Sequence, residues 1–231
     1  MTAAQDTVKD RLLDAALMHV PFDGWSDAAL GAAAADIGLD PAEARAAFPR
    51  GAVDLALAYH ARGDAAMVDR LNSEDLGHLK FRDRIAAAVR FRLEVVGDKE
   101  LVRRGSTLFA LPQYAPDGAR AVWKTCDLIW TTLGDTSDDL NWYSKRAILS
   151  GVYSSTVLYW LGDNSPDHAA TWAFLDRRID DVMQFEKLKA RVRGSTLLKP
   201  FLAGPEWLAG RIRAPSKTRD IDLPGMLKPR R

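Results

Sequence analysis

An all-helical fold is predicted by three features of this 231-residue sequence. Apolar residues recur at steps of three and four along most of the chain, and no segment alternates with the strand period of two. Pro and Gly fall mostly between the periodic segments, where they punctuate helices. There is no internal repeat and no low-complexity tract. An apolar fraction of 47% is enough for a real core. The net charge of +1 excludes a generally basic nucleic-acid coat. A lone cysteine, Cys126, forms no internal disulfide and fits a reducing compartment. No basic-then-apolar leader opens the sequence. Its longest uncharged run, Ala147 to Gly162, falls short of the roughly 20 apolar residues a membrane span needs.

The first helix is expected over Thr7 to Val20, stopped by Pro21 and Gly24. Ser26 caps a second, which runs to Ile37 and ends at Gly38. Asp40-Pro41-Ala42-Glu43 is close to a capping box and opens a short third helix, to about Phe48. Helix, turn, helix, turn, short helix is the outline of a helix-turn-helix module. Together Leu12 to Leu17, Gly24-Trp25 and Phe48-Pro49 resemble the DNA-binding head of the TetR repressors. Electrostatics argues against DNA, however. Met1 to His60 carries four Lys/Arg and nine Asp/Glu, a net of −5, where a phosphate-binding head should be basic. The recognition-helix segment Pro41 to Phe48 offers only Arg45 to read bases or grip phosphates. A ligand-responsive repressor is therefore the second reading, not the first.

Further helices are expected over Val53–Asn72, Phe81–Val96, Asp98–Ala110 and Gly118–Leu133, with Leu111 to Pro116 as a loop placed to cap a pocket. The centre of the chain is Trp142 to Leu161, free of Pro and with Gly151 alone. Trp142, Arg146, Leu149, Tyr153, Thr156 and Trp160 share one face. The opposite flank, with Leu140, Ala147, Gly151, Ser154, Ser155 and Leu158, is small or apolar, so a helix packed on most sides is expected. Arg146 is the exception, since a desolvated guanidinium must find a carboxylate, a phosphate or water. A pair with Asp138 or Asp180 and a bound anionic lipid head are both open at this point. Ser165-Pro166-Asp167 then opens a last helix through Trp172, Leu175 and Phe185.

The end of the chain changes character. Gln184 to Arg231 holds twelve Lys/Arg and four Asp/Glu, a net of +8, interleaved with apolar residues. Such a segment is either a solvated end or a reversible membrane contact. The second is favoured, because each buried Trp or Leu would contribute about 1.5–3 kcal/mol and each basic residue about 1 kcal/mol on an anionic leaflet. The expected contact residues are Leu198, Phe201, Leu202, Trp207, Leu208, Arg211 and Ile212. The organisation expected is a head over 1–60, a ligand-binding body over 61–190 and a basic amphipathic tail over 191–231.

Catalytic signals are missing. His19, His60, His78 and His168 lie far apart without metal-ligand spacing, and His19 and His60 are expected near helix ends or surfaces. There is no phosphate-cradling Gly loop, no nucleophile elbow and no dinucleotide fingerprint. Neither a metal nor another cofactor is called for, and no enzyme is expected.

The block Asp139-Leu140-Asn141-Trp142-Tyr143-Ser144-Lys145-Arg146, with Ser165-Pro166-Asp167 and Thr171-Trp172-Ala173-Phe174-Leu175 downstream, resembles the Coq-nine family, accessory lipid-binding proteins of ubiquinone biosynthesis. This block is specific; the likeness extends more weakly over the head and covers about residues 10 to 185. It implies a TetR-like helical homodimer that does not bind nucleic acid, and a pocket for an isoprenoid or phospholipid. It also implies a ring hydroxylase of di-iron or flavin type as client. With no transit peptide visible, cytoplasmic placement at the inner membrane of a bacterium is expected. By the same resemblance Trp142, Tyr143, Asn141 and Asp139 match the hydroxylase-binding patch and Arg146 the lipid-head arginine, which favours the ligand reading of Arg146. The tail, with Pro200 and Pro205, departs from the family's longer terminal helix. An apolar pocket needs aromatic and aliphatic walls, and Leu111, Trp130, Leu149 and Tyr153 are assigned to them.

Overall fold

The computed structural model describes residues 7–194, with side chains as far as Gln184. All regular structure in that range is helical. Four short helices form the head: α1 (Val8–Ala16), α2 (Val20–Asp23), α3 (Asp27–Asp36) and α4 (Pro41–Ala47). Six longer ones follow: α5 (Ala52–Ser73), α6 (Phe81–Glu94), α7 (Lys99–Phe109), α8 (Ala115–Thr132), α9 (Leu140–Gly162) and α10 (Ala169–Gly194).

The caps are those the sequence dictates. Thr7 and Asp10 complete a capping box on α1. Ser26 caps α3 and Asp40 caps α4, with Pro41 in its first turn. Asp27 does a second job. Its carboxylate accepts the Ala52 N–H at 3.2 Å, and only Gly51, at φ +57°, leaves room, since a Cβ there would sit 2.1 Å from that oxygen.

Two boundaries differ from expectation. The predicted first helix breaks after Ala16 and resumes as α2 at Val20, with Pro21 tolerated inside its first turn. Helix α8 starts at Ala115 rather than Gly118, because Pro116 also fits a first turn.

Two cores stack along α5. The head core gathers Leu12, Leu13, Trp25, Leu30, Phe48 and Leu55. The body core gathers Met67, Val89, Ile129, Leu149, Val152, Leu175 and Ile179. Because α5 runs unbroken from Ala52 to Ser73 and feeds both, a division at residue 60 falls inside a helix.

At the α9–α10 junction Lys99 donates to the carbonyls of Trp160 (2.8 Å) and Asp163 (2.6 Å), closing the end of α9. The buried Asp163 carboxylate accepts from Ser165 N–H, Thr171 N–H and Thr171 Oγ1, which holds its pKa well below the usual carboxylate range. A 3-10 turn, Pro166–His168, precedes α10, with Asp167 and His168 both at positive φ.

Helix α9 packs against α7, α8 and α10, but one strip of it is open. Leu140 is 43% exposed and Leu158 67%, while Ala147 and Gly151 also face out. The uncharged flank expected to be buried is thus mostly open surface in the single chain, with only Ser154 and Ser155 half-buried. No helix among the described residues is long and apolar enough to cross a membrane. The membrane-contact set Leu198, Phe201, Leu202, Trp207, Leu208, Arg211 and Ile212 lies outside the described residues.

Candidate functional site: an apolar cavity with a polar floor

Helices α5 to α9 leave a cavity of about 310 Å³ between head and body, at the small end of ligand pockets. Trp25 of the head, Leu101, Val102 and Phe109 of α7, Val122 of α8 and Val157 of α9 supply apolar wall. The Trp25 indole is fixed by donating to the Leu101 carbonyl at 2.9 Å and packs on Tyr59 at 5.2 Å between ring centroids. Ala110, Ala115, Ala119 and Leu158, all exposed, mark its mouth.

The floor is polar. Arg92, 4% exposed, donates from Nε to the Asp64 carboxylate at 2.7 Å and from Nη2 to the His60 carbonyl at 3.1 Å. Thr125 Oγ1 donates to the same Asp64 oxygen at 2.8 Å, and His60 Nε2 sits 2.8 Å from Thr125 Oγ1. Gly63 makes this possible: a Cβ there would lie 2.7 Å from Arg92 Nη1. Burial, then the nearby Arg92 charge, pushes the His60 pKa down to about 4, so the imidazole is neutral at physiological pH. Burial pushes the Tyr153 phenol up, keeping it a protonated donor. Tyr153 and Tyr59 both line the cavity, and among the described residues neither hydroxyl makes a hydrogen bond.

Of the residues expected to line a lipid site, Tyr153 alone reaches this cavity. Leu149 is sealed in the body core, and Trp130 packs on Phe81 while donating to the Lys145 carbonyl. Leu111 is 43% exposed, and its neighbour Ala110 takes the place at the mouth. Arg146 also lies outside this cavity. It is 1% exposed and its Nε donates to Asp127 at 2.6 Å, its Nη1 to Asp135 and to the Trp142 carbonyl at 3.0 Å each. The guanidinium also lies 4.0 Å from the Trp142 ring centroid. Neither carboxylate considered from sequence is its partner, and Asp180 pairs with Arg82.

His60 also departs from expectation. It lies within α5, in the cavity wall, rather than at a helix end. Arg92, Asp64 and Thr125 went unread, although the signal was present. Arg92 interrupts the apolar stripe of α6 as Arg146 interrupts that of α9, and His60 and Asp64 stand four apart on one face of α5.

The aromatic patch lies elsewhere on α9. Trp142 and Tyr143 meet edge to face at 4.8 Å, and Trp123 of α8 joins them at 5.9 and 6.4 Å. Asp139 caps α9, accepting the Asn141 backbone N–H and its side-chain amide at 2.9 Å each. These two residues therefore also hold the helix start. From Trp142 to Tyr153 is eleven residues, or about 16 Å of helix.

A second depression, of about 390 Å³, lies between α3 and α4. It is the larger, but apart from Asp27, Arg45 and Arg50 its lining is mostly Ala, Gly and Pro with Phe48 as its one aromatic, so the inner cavity, with its aromatic and aliphatic walls, is the candidate site. The outward face of α4 presents Pro41, Ala42, Glu43, Arg45 and Ala46, an unpromising DNA reader. Among the described residues no cluster of His, Cys, Asp or Glu could hold a metal ion. Cys126 is buried, and burial raises its thiol pKa to about 11, so it is unreactive.

The COQ9 family's sequence model matches residues 115–186, which cover α8, α9 and most of α10. The chain is 35% identical to the mitochondrial ubiquinone biosynthesis protein COQ9 of Drosophila melanogaster over 199 residues, 84% of this chain and 61% of that one. It is 30% identical to the Rattus norvegicus protein of the same name over 203 residues, 83% of this chain and 64% of that one. For the Homo sapiens protein identity is 28%, over 83% and 63% of the two chains. The chain thus spans about three fifths of the length of these curated relatives. Among solved structures, a TetR transcriptional regulator from Nitrosomonas europaea superposes with a TM-score of 0.61 at 19% identity, over 74% of this chain and 95% of that one. At that identity the likeness is one of fold.

Proposed function

From the premise that this chain belongs to the COQ9 family of ubiquinone biosynthesis proteins, we propose that it is a non-catalytic lipid carrier. It takes up an isoprenoid quinone intermediate or a phospholipid and presents it, as a homodimer at an anionic membrane surface, to a ring hydroxylase. The inner cavity carries this reading. It is apolar on its walls and polar at one end, as an amphiphile requires. A TetR-like fold whose head has a net charge of −5 and a featureless α4 is poorly suited to DNA, and retains a chamber suited to a ligand.

Carrier and client functions separate along α9. Trp142 and Tyr143, with Asn141 and Asp139 beside them, form the hydroxylase-facing patch, while Tyr153 belongs to the lipid chamber about 16 Å further along the helix. The lipid contact therefore moves from Arg146 to the cavity's own residues. Native mass spectrometry of purified protein tests the reading: a co-purifying quinone or phospholipid is expected. Ala119→Trp, which plugs the mouth, should lower lipid occupancy and leave hydroxylase binding intact. Trp142→Lys should do the reverse. Empty protein in repeated preparations, with no uptake of added quinone, would overturn it.

A further inference from the structure

We infer that the buried Asp64–Arg92 pair sets the charge selectivity of the cavity: it admits neutral, oxygen-bearing heads and rejects anionic ones, and Asp64 is the residue that enforces this. The inference rests on the lipid-carrier reading above and narrows it, separating two guest classes that the overall shape leaves equivalent.

A cavity arginine would ordinarily be an anchor for a carboxylate or phosphate. Here the anchor is already taken. Arg92 is held by the Asp64 carboxylate at 2.7 Å, and Asp64 is 2% exposed, so the two charges cancel within the floor. His60 supplies no compensating charge, because burial keeps it neutral. An anionic head entering this chamber would lose its hydration and find no net positive charge in return, next to an Asp64 whose Oδ2 has no hydrogen-bond partner among the described residues. A carbonyl or hydroxyl loses far less on entry. It would be met by the Tyr153 and Tyr59 hydroxyls, which burial keeps protonated and which have no other partner among the described residues. The carboxylate thus acts on specificity without touching the guest, by cancelling Arg92.

The test is calorimetric titration of the full-length protein at pH 7 with three probes: methyl decanoate, decanoate, and a benzoquinone bearing a decyl tail. Wild-type protein should bind the quinone, and should bind the ester at least about tenfold more tightly than the carboxylate, because only the latter is charged. Asp64→Asn frees the Arg92 charge and should reverse the preference toward decanoate. Asp64→Asn combined with Arg92→Gln removes both charges and should restore preference for the ester. Equal or tighter binding of decanoate to the wild type overturns the inference, as does an Asp64→Asn protein that folds with an unchanged ratio. The wild-type ratio needs no variant, so it decides the matter even if Asp64→Asn fails to fold. A wild type that binds none of the three probes refutes the carrier reading itself. One that binds the quinone but does not discriminate ester from carboxylate refutes only the charge selectivity.

Discussion

Arg146 shows how far a single residue can be reasoned from sequence. A guanidinium in an aromatic stripe had to be satisfied, and it is, by Asp127, Asp135 and a cation–π contact with Trp142. Asp135 is the buried end of this network: its side chain is 2% exposed and also accepts from Lys145 at 2.8 Å and Ser137 at 2.8 Å. Burial alone would raise its pKa, but hydrogen bonds from Lys145, Ser137 and Arg146 outweigh that and hold it at about 2. Because the folded-state value lies below the usual 3.8, the contribution to stability is complete above that pH and is lost as pH falls through it toward about 2. The linkage is worth roughly 2 kcal/mol. Urea titrations between pH 5 and 2 should therefore show a falling midpoint, with a shallower slope in Asp135→Asn. Arg146→Met should cost about 3 kcal/mol, the low end for a broken buried pair, because Lys145 still holds Asp135. Lipid per folded molecule should not change. A drop in bound lipid at full folding would return Arg146 to the ligand site. The partners were not legible beforehand because Asp127 and Asp135 meet Arg146 only when the end of α8 and the following turn fold back along α9. That placement depends on tertiary packing, not on any helical spacing.

At the scale of elements, α9 was the most legible part of the fold and the most instructive error. Its limits, Leu140–Gly162, lie within two residues of those read from composition. Its environment did not follow. Leu158, Gly151 and Ala147 form a charge-free exposed flank, and Tyr159 stacks on Phe174 of α10 at 4.5 Å beside it. Hydrophobic patterning reports which surface avoids charge, but not whether the same chain covers it. Such a flank on a monomer marks an interaction surface, which fits the proposed homodimer. Gly151 is the position to test, since nothing lies within 4 Å of a Cβ built there. Gly151→Arg should leave the monomer's helicity and unfolding intact while sedimentation shifts from a dimer to a monomer. If wild-type protein sediments as a monomer, this flank serves something other than a second copy. A contrasting case is Gly63, where the Cβ would meet Arg92 at 2.7 Å. Gly63→Ala should displace the guanidinium and destabilise the protein by about 1–3 kcal/mol through strain in the packed floor, measurable by urea unfolding.

Over the whole molecule, the helical class, the head's outline and the order of elements followed from periodicity, caps and breakers, because those signals are local. The cavity did not, since it is a space left between five helices, and its floor joins residues 60 and 64 of α5 to 92 of α6 and 125 of α8. The interruption of an apolar stripe by Arg92, and His60 four residues before Asp64 on α5, are the local clues to it. Charge is the other molecule-wide property, and it runs from a net −5 over Met1–His60 to +8 over Gln184–Arg231. Such asymmetry orients a protein on an anionic bilayer with the acidic end away from the surface. A chain ending at Gly194 retains every described helix and loses eight of the twelve basic residues of that last stretch. Full-length protein should therefore co-sediment with vesicles containing anionic lipid at low salt and be released as salt rises, because the attraction is screened over about 10 Å at 0.1 M ionic strength. The shortened chain should stay in the supernatant, with its thermal unfolding unchanged. Retention of the shortened chain on vesicles would move the membrane contact to the described helices, with the exposed Met18 and Phe22 of the head, 73% and 83% open, as the next candidates.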